Sequence, residues 1–315
     1  MLQVVPLSIV KQLKTVLIKF ETFQKSTMSK FAPNYVKTLL NMYRGRELEA
    51  AAMATAREFV ALTPTSKCVE FYSVALGKAR NDPDEALRPV YWDIVVLLAP
   101  WIPATELAEL FSEAIEMTKA SGATSQKKGW RILEQVGGST NETCATLMRE
   151  KEPLIMESMM SSLGTCAPSA RKPRLQLLEQ ILPKMTSENL NALISELVMC
   201  TKDKNTISRA LAYDNLGGIC ARFAGQGSIL EFIQVLLQGL NGSPLTVACT
   251  LNVVTRIMYE FRTDIPAAVH GMILENVLIL MNSAAREILK VRILGSFSLT
   301  KNMHLSRRLC HFSSL

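Results

Sequence analysis

Three histidines, His270, His304 and His311, are the only imidazoles in this 315-residue chain. Imidazole is the commonest general acid–base group, so these positions bound what catalysis the chain can offer. His304 and His311 sit in an irregular C-terminal string, and His270 follows Pro266 in a predicted helix, where it reads as an ordinary helix residue. The seven cysteines, Cys68, Cys144, Cys166, Cys200, Cys220, Cys249 and Cys310, are scattered, odd in number and never paired as CxxC. That usage fits buried thiols in a reducing compartment better than a disulfide framework or a zinc site, with Cys200 and Cys220 filling the core. Glu150 and Glu152 lie in a charged turn and read as solvated surface. No phosphate loop, dinucleotide fingerprint, HExxH or GxSxG motif is present. "GQGS" at 225–228 and "GLNGS" at 239–243 have no strand before them and read as turns after helices, where glycine is favoured. The expectation is a non-enzyme without cofactor, metal or small-molecule substrate.

Positive charge is the one recurrent chemistry. Lys127, Lys128 and Arg131 form one cluster, Arg171, Lys172 and Arg174 a second, and Lys202, Lys204 and Arg209 a third. Each opens or flanks a predicted helix at a comparable place. Equivalent positions in stacked repeats form ridges, so the clusters could line up as a discontinuous basic strip for RNA phosphates or acidic partners. The plainer reading, which comes first, is solvated helix starts with local acidic neighbours. "RKPR" at 171–174 also has the form of a short nuclear-import patch. Trp130 could stack on a base, but it shares a helical stripe with Leu133 and Val136 and reads as core. Trp92 and Trp101, beside "IVVLLAP", read the same way.

The elements that would carry these clusters are helical throughout. In "LTVACTLNVVTRIMYEF", Val247, Leu251, Val254, Met258 and Phe261 recur at steps of four and three, one apolar face of one helix. Pro33, Pro64, Pro83, Pro103, Pro153, Pro168, Pro244 and Pro266 stand at or near the starts of such segments, where proline is tolerated, and Pro183 reads as a stop. Successive units consist of an apolar helix, a polar turn and a second helix with small or basic residues at its start. Their first helices are expected to end near Thr118, Leu163, Cys200, Leu240 and Met281, at intervals of 45, 37, 40 and 41 residues. Two helices every 40 or so residues predict an all-α HEAT or armadillo-like α-solenoid of about seven helix pairs, a portion of a longer superhelix. A compact bundle seldom keeps such a period over five units.

Net charge is +7, but Lys290, Arg292, Lys301, Arg307 and Arg308 account for five of those charges. The repeat region is therefore nearly neutral, and its overall charge does not argue for nucleic acid. Lys11 and Lys14 interrupt the apolar start, which does not read as a secretory signal. The longest apolar run, Ile94 to Ile102, is about half of a bilayer span. The expectation is a soluble intracellular protein without membrane association. Residues 1–290 read as the repeat region and 291–315 as an irregular basic tail. "VRILGSFSLTKNMHLSRRLCHFSSL" departs from the repeat pattern, and is expected to be a break in the reading (a splice variant, retained intron or gene-model error) rather than a functional arm.

Six blocks in order, "DEALRPVYWDIVVLLAPWIPATELAELFSEAI", "SQKKGWRILEQVG", "SARKPRLQLLEQIL", "LISELVMCTKDKN", "TLNVVTRIMYEF" and "ILENVLILMNSAAREILK", resemble the middle of the ribosomal RNA-processing protein 12 family. The resemblance runs from about Phe31 to Lys290. It implies a HEAT-repeat scaffold of ribosome biogenesis in the nucleus and nucleolus, active in precursor-rRNA processing and subunit export. The partners it implies are pre-ribosomal particles with their RNA and assembly factors, a Ran-type GTPase and nucleoporins. A karyopherin-like nuclear transport adaptor or a general protein–protein interaction scaffold is the alternative on the same architecture.

Overall fold

The computed structural model describes residues 31–38 and 49–283. His304, His311, Cys310 and the whole tail from 291 onward lie outside the described residues. Among the described residues there are fourteen α-helices and no strand. Helix α1 covers 31–38. It is followed by α2 (Glu49–Val60), α3 (Thr65–Asn81), α4 (Arg88–Leu98), α5 (Ala104–Lys119), α6 (Ala123–Gly137), α7 (Glu142–Glu150) and α8 (Glu152–Ser161). Then come α9 (Arg171–Ile181), α10 (Ser187–Cys200), α11 (Thr206–Gly225), α12 (Ile229–Leu237), α13 (Pro244–Glu260) and α14 (Ala267–Ser283). The packing divides the chain into two compact units, with the division between Ser162 and Leu163. Gly164, at φ 71°, lies just beyond it.

Punctuation follows the expected chemistry. Pro64 and Pro103 precede α3 and α5, Pro153 lies in the first turn of α8, and Pro244 opens α13. Each sits where the absent N–H would have had no helical partner. Pro183 lies in the 3-10 turn Leu182–Lys184 that ends α9. Side chains of Asn141, Thr186, Asn205 and Ser243 cap α7, α10, α11 and α13, each accepting a hydrogen bond from a backbone N–H of the first turn. Gly225 ends α11, and Gly227 takes a φ of 72° in the following turn, as the "GQGS" reading requires.

Within the first unit, α3 pairs with α4 and α5 with α6, while α6 also packs on α4 and α8 packs on α5. Within the second, α10 pairs with α11, and α9, α11 and α13 form one row of neighbours. Helices α10, α12 and α14 form the other row. Each unit is thus a two-layered stack of helix pairs, the packing of an α-solenoid. The expected stripe on α13 is real: Val247, Leu251, Val254 and Met258 are buried and Phe261 is half-buried. Trp130, Leu133 and Val136 are fully buried on α6, whereas Trp92 and Trp101 are only half-buried. Each fully buried large apolar side chain contributes about 1.5–3 kcal/mol.

The 40-residue period also returns as hydrogen bonds between neighbouring repeats. Thr118 on α5 bonds to Ser158 on α8, 40 residues on. Asn215 Nδ2 donates to Leu175 O at 3.1 Å, Asn191 Nδ2 to Glu231 Oε1 at 2.7 Å and Arg222 to Leu182 O at 2.7 Å, each again across 40 residues. These polar clips join helices of the same row, so they set the register of the stack while apolar burial supplies most of the stability.

Candidate nucleic-acid interface

The three basic clusters have different fates. The first lies on α6. Lys128 is buried and bonds to Asp93 of α4, and Arg131 bonds to the same carboxylate. Burial lowers the Lys128 pKa, with Asp93 opposing that shift. Two of the three cations therefore bind a neighbouring helix internally. Lys127 is half-buried and has no ion pair within the described residues.

The second and third clusters come together within the second unit. Arg171, the first residue of α9, donates to Asp203 Oδ2 at 2.9 Å, which brings that helix start against the α10–α11 turn. Asp203 Oδ1 accepts the Asn205 backbone N–H at 2.8 Å. Asn205 Oδ1 in turn accepts the N–H groups of Ile207 and Ser208 at 2.9 and 3.2 Å and so caps α11. Arg209 closes the turn by donating to the carbonyls of Asp203 and Lys204, at 2.9 and 3.2 Å. Arg174 faces inward, is 1% exposed, and pairs with Glu196 of α10 at 2.9 Å.

What remains outward is Lys172, half-buried, and Lys202 and Lys204, both exposed, with no ion pair within the described residues. Five cationic residues (Arg171, Lys172, Lys202, Lys204 and Arg209) thus surround a turn whose single carboxylate is buried and already engaged. A turn held by this many internal bonds presents its lysines without a large ordering cost, which suits contact with phosphates. Asp93, Glu196 and Asp203, which decide which cations are free, gave no signal as separate residues. Only their distance of about one repeat or one helix from a basic residue could have marked them.

The other chemistry-bearing residues are quiet. His270 Nδ1 lies 3.1 Å from Pro266 O, within its own first turn. Glu150 is exposed and Glu152 half-buried. The six described cysteines are buried thiols, none joined in a disulfide among the described residues. Burial pushes the thiols of Cys68, Cys166 and Cys200 up to about 11 and that of Cys220 to about 12. Among the described residues no three His, Cys, Asp or Glu side chains gather as a metal site, and no helix is long and apolar enough to cross a membrane.

No protein-family model matches the chain. The RRP12-like protein of Gallus gallus is 24% identical over 286 residues, 86% of this chain and 22% of the relative. The RRP12-like protein of Homo sapiens is 26% identical over 283 residues, with 84% of this chain and 22% of the relative covered. Ribosomal RNA-processing protein 12 of Saccharomyces cerevisiae is 22% identical over 306 residues, covering 84% and 25%. The chain is similar to an internal part of ribosomal RNA-processing protein 12. It spans between a fifth and a quarter of the length of these relatives. Among solved structures, the crystal structure of an engineered protein is 12% identical, with a TM-score of 0.43 over 95% of this chain and 85% of that one.

Proposed function

We propose that this chain acts in ribosome biogenesis as a non-enzymatic scaffold whose second unit contacts precursor rRNA. The observation that carries the RNA contact is the convergence of Arg171, Lys172, Lys202, Lys204 and Arg209 on one internally bonded turn, with the lysines unpaired by the described residues. The similarity to proteins named for ribosomal RNA processing supports the choice of RNA and of pre-ribosomal particles as partners. A nuclear, nucleolar location follows from that setting. Phosphates would be met by long flexible cations outside any base-reading pocket, so recognition would be electrostatic and insensitive to sequence.

The test is charge reversal at Lys172, Lys202 and Lys204 together, read by binding to single-stranded RNA and by crosslinking to precursor rRNA. Three lysine–phosphate contacts on single-stranded RNA imply about a twentyfold loss of affinity between 50 and 200 mM salt. Removing them should reduce the logarithmic salt slope by about 2. Lys127→Glu should change neither. RNA crosslinking that survives the triple reversal at unchanged yield would refute the interface.

A further inference from the structure

On the same second unit, away from the basic turn, a groove of about 500 Å³ runs between α9 with its 3-10 turn and the middle of α11. Glu179, Asp214, Asn215, Gly218, Leu182 and Arg222 line it. Its chemistry is the reverse of the lysine-bearing turn. Glu179 and Asp214 are exposed carboxylates, without an ion pair within the described residues. Asn215 is 1% exposed, and its Nδ2 donates to Leu175 O and Leu211 O. Its Oδ1 is fully buried, without a hydrogen-bond partner among the described residues, so Asn215 serves the groove as wall and not as a contact.

The free groups on the lining are therefore mainly acceptors. The exception, Arg222, is held by Leu182 O at 2.7 Å. Gly218 keeps the α11 wall low. Packing does not demand glycine there, since an added Cβ would meet nothing closer than Leu182 Cδ1 at 3.4 Å. A helix interior without that demand ordinarily disfavours glycine.

The geometry points to this groove as a docking site for a basic protein segment, with an arginine or lysine side chain set between Glu179 and Asp214. Acceptors on two exposed carboxylates match a guanidinium or ammonium donor and repel a phosphate. The inference is independent of the RNA contact: it uses none of the lysines that carry that reading.

The experiment titrates the full chain with a fluorescent peptide of alternating arginine, glycine and serine, followed by anisotropy and by hydrogen exchange. Protection should appear in residues 176–183 and 211–222. Glu179→Gln with Asp214→Asn should weaken binding about tenfold, the sum of two partly exposed charge pairs. Both positions are exposed, so the variant should fold, and unchanged melting checks this. Asp214→Lys should weaken binding further, while the Lys172, Lys202 and Lys204 reversal should not weaken it. Three outcomes overturn the proposal: equal affinity for the Glu179→Gln, Asp214→Asn variant, protection confined to other segments, or protection of the groove by single-stranded RNA in preference to the peptide.

Discussion

Removing the Asp93 carboxylate should strip the first unit of a tie between α4 and α6. Asp93 is bonded to Lys128 and Arg131, whose side chains are 6% and 25% exposed, and is itself 13% exposed. Arg131 can turn to water, so its share is small. Lys128 cannot, and Asp93→Ala leaves an uncompensated buried cation at a cost of about 3–5 kcal/mol. The sign of the pH effect follows from the lowered Lys128 pKa, which loss of Asp93 lowers further. Between that folded value and the normal lysine range, the unfolded chain binds more protons, so stability of the variant should rise with pH through the alkaline range. Adding Lys128→Met should restore all but about 1 kcal/mol, because an apolar side chain of similar length suits the buried site. The assay is urea unfolding followed by circular dichroism, with hydrogen exchange on α4 and α6, since two units need not unfold together. A loss of less than about 1 kcal/mol for Asp93→Ala, or further destabilisation on adding Lys128→Met, would show that Lys128 is not held as a buried ion.

Two further outcomes follow from the packing. Gly129→Ala should destabilise, because its Cβ would stand 2.6 Å from Ala114 O and 2.9 Å from Met117 Cβ, whereas Gly77→Ala in α3 meets nothing within 4 Å. The second substitution should stabilise by about 0.5–1 kcal/mol, and parallel melts of the two variants check the opposite signs. Native Cys68, Cys166, Cys200 and Cys220, with pKa values raised to about 11 or 12, should react with iodoacetamide at pH 8 orders of magnitude more slowly than after denaturation, as peptide mapping would show.

Much of the architecture was legible because helices write themselves locally. The expected helix ends at Thr118, Cys200 and Leu240 meet observed ends at Lys119, Cys200 and Leu237. Proline and Asx or hydroxyl caps act within one turn, so their effect does not await the fold. The repeat period was equally visible, because every unit buries the same faces against its neighbours. Trp92 and Trp101 were less legible: their apolar neighbours suggested core, yet both keep part of their surface outside. Lateral position within a stack is not encoded in a local stripe.

The basic residues show where the sequence stops. Composition and spacing by themselves determined an all-helical repeat, its period of about 40 residues, and three candidate clusters of cations. They did not determine which cations were free. That was decided when folding set Asp93 against Lys128 and Arg131, Glu196 against Arg174, and Asp203 against Arg171. A charge is available to a partner only if no closer opposite charge holds it, and such closeness between residues one helix or one repeat apart exists only in the tertiary structure.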